Sequence, residues 1–219
     1  VAPDPGVSDE LIRGFIIGSG LGATLYLRGQ LVLHASAVAG DQGVVAFIGE
    51  SGWGKSTIAA SLHACGARLV ADDLVVIDQV DGQHIVYPGL PEFRLWPDSI
   101  ASLGEQEQHL PKVHPSQEKR VRRVHTNMQQ APGRLHRLYI LGFGDTHAIT
   151  PLKPATAALE LVCFTYGVEV FHAIAPRQHF LHCTALAQDV PVLRLQRRMA
   201  LDALPALIAM LEDDIRHAQ

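Results

Sequence analysis

The residues with the clearest chemical content lie in one run, Gly49-Glu50-Ser51-Gly52-Trp53-Gly54-Lys55-Ser56, followed by Thr57. The run satisfies the phosphate-binding pattern G-x-x-x-x-G-K-S/T in full. Glycines let successive backbone N–H groups turn inward around phosphate oxygens. Lys55 adds a mobile cation, and a helix starting here adds partial positive charge. Residues 49–57 are therefore read as the site for the phosphates of ATP, with Ser56 as a ligand for the accompanying Mg2+. Such a loop holds a phosphate without saying where it goes.

A destination needs a base. Asp72 and Asp73 follow soon after, in "RLVADDLVVID". Read as the end of one strand, adjacent side chains point to opposite sides. One carboxylate can then face the metal while the other accepts the proton of an attacking hydroxyl. His34, in "LVLHASAVAG", stands one strand before the loop; alone among apolar residues, a histidine reads as a core group.

The elements that must position these groups are read from periodicity. "SDELIRGFIIGSGLGATLYLRG" is predicted as a helix capped by Ser8 and weakened midway by Gly18, Gly20 and Gly22. Short β-branched runs follow as strands ("LVLHASAVAG", "GVVAFIG", "RLVADDLVVID", "QHIVYPG"), with Asp81-Gly82 as a hairpin turn. The polar stretch from Glu105 to Arg134 is long for a loop and is expected to be functional or mobile. "RLHRLYILGFGD", "HAITPL" and "PVLRLQ" are predicted strands; "KPATAALELVCFTYG", "IAPRQHFLHCTALAQD" and "RMALDALPALIAMLEDDIRHA" are predicted helices. The class is α/β or α+β with a mixed sheet and a helical C-terminal part.

The chain has 219 residues, 47% of them apolar, enough for one substantial core, and residues 1–219 are expected to form one domain. Beginning at Val1, it is expected to be a piece that lacks an N-terminal segment. A formal charge of -4, from 18 basic and 22 acidic residues, gives no electrostatic case for nucleic acid or an anionic membrane. No apolar stretch approaches the roughly 20 residues of a membrane span. Three scattered cysteines fit free thiols in a reducing, cytoplasmic compartment. The trio His172, His179 and His182 sits among apolar residues and is not read as a metal site. Trp96 is expected in the core, whereas Trp53 is read either as a cover for a nucleotide or a partner or as an exposed apolar contact at an oligomer interface.

The whole run from Leu33 to Asp78 resembles the catalytic domain of the HPr kinase/phosphorylase family, which shows a strand His, a P-loop, a helix and then R-L-I/V-A-D-D. It resembles still more the HPr-kinase-like proteins of lasso-peptide gene clusters, which share "LHASAV" and "RLWPD", here Arg94 to Asp98. The resemblance implies a serine kinase with a fold similar to phosphoenolpyruvate carboxykinase, using ATP and Mg2+, acting on a peptide or protein serine and forming a homo-oligomer. Carried over, it makes Asp73 the base, His34 the residue that tunes it, and Lys55 and Asp72 the rest of the catalytic cluster. The family's Mg2+ ligands, the P-loop Ser and a Glu, fall on Ser56 and Glu92, although Glu92-Phe93-Arg94 is followed by Leu95 where the family has Gly, and Asp72 is the carboxylate that the residue reading adds to them. Arg94, Lys119 and Arg120 are candidates for phosphate or substrate contact, and the family's phosphorylase segment is not recognisable. A small-molecule hydroxyl kinase and a non-catalytic ATP-binding regulator are the other readings; the latter needs no base.

Overall fold

The computed structural model describes residues 4, 6–167 and 176–217. The predicted N-terminal helix is split into α1 (Asp9–Phe15) and α2 (Leu21–Leu27) by a π-helical turn, Ile16–Gly20. Two of the three glycines that weaken it, Gly18 and Gly20, lie in that turn. Ser8 caps α1 through Leu11 N–H.

The strands are β1 (Leu31–Leu33), β2 (Ala35–Gly40), β3 (Gly43–Ile48), β4 (Arg68–Asp72), β5 (Val75–Val80), β6 (Gln83–Val86), β7 (Glu92–Leu95), β8 (Arg120–Arg123), β9 (Gly133–Phe143), β10 (Ala148–Pro151) and β11 (Val192–Arg197). The helices after α2 are α3 (Lys55–Ala64), α4 (Pro97–Ser102), α5 (Pro154–Cys163), α6 (Pro176–Asp189) and α7 (Leu204–Arg216). The fold is mixed α/β. A nine-stranded mixed sheet runs β1-β5-β6-β9-β3-β2-β4, with β11 also on β9 and β10 on β11, while β7 and β8 form a separate ribbon. β9 pairs with β6 at its start and with β11 further along, so one long strand joins the two parts of the sheet.

β3, and β9 from Leu138 to Leu141, are buried on both faces, which is why they read as continuous apolar runs. Val44, Ala46 and Ile48 enter a core cluster with α5 and α6 residues such as Leu161 and Leu186. Val45 and Phe47 enter the other, with Ile58 of α3 and Leu211 of α7. Two sequence expectations change. "LVLHASAVAG" is two strands broken at His34, β1 pairing with β5 and β2 with β3 and β4. "RLVADDLVVID" is likewise broken, at Asp73, whose φ is 72°. The polar stretch 105–134 is partly ordered pairing: its β8 lies antiparallel to β7, Leu95 opposite Arg120.

Candidate active site

Topology assembles the site. β2 is antiparallel to both neighbours, so its first residues lie beside the last residues of β3 and β4: Ala35 is opposite Ile48, and Ser36 opposite Asp72. That places His34, the end of the loop-bearing strand and the aspartate pair at one end of the sheet. β3 runs into the loop, and α3 begins at Lys55 behind Gly54, whose φ of 83° is left-handed. The left-handed φ favours glycine, and a Cβ there would also come within 2.9 Å of the Arg197 guanidinium and displace it.

Lys55 is buried, and its Nζ donates to the carbonyls of Gly49 (2.8 Å) and Glu50 (3.0 Å). Burial, and then the charge of Lys119, push its ammonium down to about 8. An ammonium so destabilised is primed for an anion. The first N–H groups of α3 have no intrahelical acceptor, and no side chain caps them.

A β-bulge decides where Asp72 points. The β2–β4 register slips by one residue between Ala37 and Val38, leaving Val70 extra on β4. Leu69 faces the α3 side, whereas Val70 and Ala71 both enter the opposite cluster. Strict alternation from Leu69 would send Asp72 away from the loop; the bulge returns it. There it accepts hydrogen bonds from Ser36 Oγ and from Arg94 N (2.7 Å), and Ser36 Oγ lies 3.4 Å from Ser56 Oγ. Burial raises the Asp72 carboxyl above its usual range, with Asp73 adding to the rise and the bonds to Ser36, Arg94 and Ser56 opposing it. Asp73 diverges from Asp72 through its left-handed backbone, a correction to the strand alternation expected from sequence. Its Oδ2 pairs with Arg94 Nη1 at 2.7 Å, and its Oδ1 lies 3.4 Å from His34 Nδ1. His34 thus lines the cleft beside Asp73 rather than standing in the core. Burial, followed by the Lys55 charge, lowers its pKa, which keeps the imidazole neutral near pH 7.

One cleft is lined by His34, Gly52, Lys55, Ser56, Asp73 and Arg94, with Gly54, Thr57, Leu95, Trp96 and Lys119 completing it. Trp96 is 43% exposed, a correction to its expected core position, and Lys119 Nζ sits 5.6 Å from its ring centre. Beside Gly52 and Gly54 opens a cavity of about 270 Å³ with Ile58, Met199, Leu201, Leu204 and Leu207 in its walls. Glu50 and Ser51 are exposed on the loop. The Trp53 ring packs edge-on against Phe143 at 5.0 Å, and the Thr57 hydroxyl bonds Ser99 at 2.8 Å, tying α3 to α4.

Ser56 and Asp72, joined through Ser36, are oxygen groups of the kind that suit a hard cation bound together with phosphates. Among the described residues no group of three or more His, Cys, Asp or Glu side chains is arranged to hold a metal. Glu92 is 3.7 Å from Arg94 Nε. Arg120 faces Glu107 and Glu118 and does not line the cleft. His172 lies outside the described residues; His179 bonds Thr165 in the interior. Among the described residues no helix is long and apolar enough to cross a membrane.

Three neighbours of the site carried no motif. Ser36 is a lone hydroxyl in an Ala/Val strand, the one sequence signal available. Tyr166 is brought beside His34, ring centres 6.1 Å apart, when its N–H bonds Val32 O. Arg197 reaches the loop from β11 and donates to the Trp53 carbonyl.

No family model and no curated protein matches the chain. Among solved structures it is similar to the Hpr(Ser) kinase/phosphatase from Coxiella burnetii, at 15% identity and a TM-score of 0.45, with 84% of this chain and 95% of that one covered.

Proposed function

We propose that the protein is an ATP-dependent serine kinase that transfers the γ-phosphate to a serine hydroxyl of a peptide or protein. The observation that carries this reading is the convergence of the loop cation Lys55, the carboxylate Asp73 and its partner His34 in one cleft. A protein that only sensed nucleotide would need the loop and Lys55 but no base. The sequence resemblance supplies the acceptor class, a lasso-peptide precursor, and the cytoplasmic, homo-oligomeric setting.

In this reading the apolar cavity beside Gly52 and Gly54 receives the nucleoside, and the loop N–H groups and Lys55 hold the phosphates. Asp73 takes the proton of the acceptor hydroxyl as its oxygen bonds the γ-phosphorus; the bond to the bridging oxygen breaks and ADP leaves. His34 holds Asp73 from one side and Arg94 from the other, which fixes the accepting oxygen near the cleft. Arg94 and Lys119 supply positive charge where it builds up on the transferred group. Ser56 and Asp72 would hold Mg2+, which neutralises phosphate charge when bound.

The test is mass spectrometry of candidate precursor peptides incubated with Mg-ATP and either the wild type or Asp73→Asn. The wild type adds one phosphoryl group per acceptor serine, and the variant binds Mg-ATP but transfers about 10²–10⁴-fold more slowly. Equal transfer by both proteins removes Asp73 from the mechanism; binding without transfer to any peptide or small alcohol favours the regulator.

A further inference from the structure

Arg197 ends β11 and is only 9% exposed. Its Nη2 donates to the Trp53 carbonyl and its Nη1 to the Arg198 carbonyl at 3.4 Å, while its Nε has no partner. The guanidinium lies over the Phe143 ring, 5.4 Å from its centre, and the Trp53 ring packs on the edge of the same Phe143. Among the described residues no carboxylate lies within ion-pair distance of it. Burial alone lowers its pKa, with no acid opposing the shift. A buried cation without an anion lowers stability unless something else supplies the negative charge. Here the open neighbour is the loop itself: Arg197 also lines the cavity that opens at Gly52 and Gly54.

The hydrogen bond to Trp53 has a second consequence. The peptide bonds of the described residues are trans, and in a trans peptide the C=O and the following N–H point in opposite directions. Drawing the Trp53 carbonyl toward Arg197 turns the Gly54 N–H the other way, away from the guanidinium.

We propose that Arg197 is a positioning residue for the donor's phosphates, fixing the Trp53–Gly54 peptide so that the Gly54 N–H faces the phosphate. This rests on the nucleotide-binding reading of the loop. It assigns a role in phosphate binding to the strand β11, 141 residues beyond the loop lysine's neighbour Ser56.

The test measures binding of Mg-ATP and of pyrophosphate alone by calorimetry to the wild type, Arg197→Met and Arg197→Lys, with the Gly54 amide followed by ¹H–¹⁵N spectra. Arg197→Met is expected to weaken both ligands by about tenfold or more, and by similar factors, since the loss lies in the phosphate cradle. The Gly54 amide shift that pyrophosphate produces in the wild type should shrink in Arg197→Met and persist in part in Arg197→Lys, which keeps a donor for the Trp53 carbonyl. A purely structural role lowers the melting temperature of the ligand-free protein and leaves both affinities and the Gly54 response as in wild type; that result overturns the proposal. So does weakening of Mg-ATP with pyrophosphate unaffected, which puts Arg197 on the nucleoside. If Arg197→Met does not fold, the affinities and Gly54 response of Arg197→Lys decide by the same criteria. Failure of the wild type to bind either ligand overturns the nucleotide reading itself, a different outcome from wild-type binding that the Arg197 variants retain.

Discussion

Raising the pH from 7 to 9 should weaken Mg-ATP binding through a single group, Lys55. Its Nζ is sequestered against two loop carbonyls, and burial, helped by the Lys119 charge, lowers its pKa from 10.5 to about 8. Bound phosphates restore the charged form, so the free protein loses most of the Lys55 charge by pH 9 while the complex keeps it. That difference corresponds to about a tenfold weaker affinity at pH 9 than at pH 7 and an uptake of about half a proton on binding at pH 8. Calorimetry in buffers of different ionisation enthalpy reads both quantities, and Lys55→Met should bind weakly with no pH slope. The same shift has a sign for stability. The folded pKa lies below the unfolded one, so the ligand-free protein gains stability as pH rises from about 8 toward 10.5. At neutral pH the shift corresponds to a penalty with an upper bound of about 3 kcal/mol, reduced in Lys55→Met by the two carbonyl bonds that methionine cannot make. A wild-type affinity that changes less than about twofold between pH 7 and 9, or an equal slope in Lys55→Met, refutes the reasoning.

Two further outcomes follow from hydrogen bonds the fold makes. Ser36→Ala removes a donor that favours ionised Asp72, so the Mg2+ concentration needed for half-maximal transfer should rise about 10–100-fold in a metal titration, while a single lost hydrogen bond costs only about 1 kcal/mol of stability. Tyr139→Phe removes the 2.6 Å bond that ties β9 to Asp214 of α7, and urea unfolding should show a loss of about 1–2 kcal/mol with the affinity for Mg-ATP unchanged.

The loop and its strand–helix context were legible in the sequence because they are local. The glycines, the lysine and the apolar runs on either side lie within about twenty residues, and a strand buried on both faces leaves an apolar run that needs no tertiary information to see. The class, a mixed sheet with helices, followed from the same periodicities. The weak midpoint of the N-terminal helix was also visible, in its glycines, although its form as a π-helical turn was not.

What the sequence could not determine was direction. His34 reads as a core residue until antiparallel pairing of β2 sets it beside residues 39 positions later. Asp72 and Asp73 read as alternating strand residues, yet their divergence comes from a left-handed backbone at Asp73 and a bulge at Val70 that depends on the pairing partner. Trp96 and Lys119 meet only because β8 folds back on β7. Arg197 is one more basic residue at a strand end until the sheet order carries it beneath the loop. The sequence by itself determined that a phosphate can be held. The long-range pairing of the sheet decided which carboxylate, imidazole and guanidinium stand around it, because that choice depends on register and side-chain face, which are set between strands rather than within them.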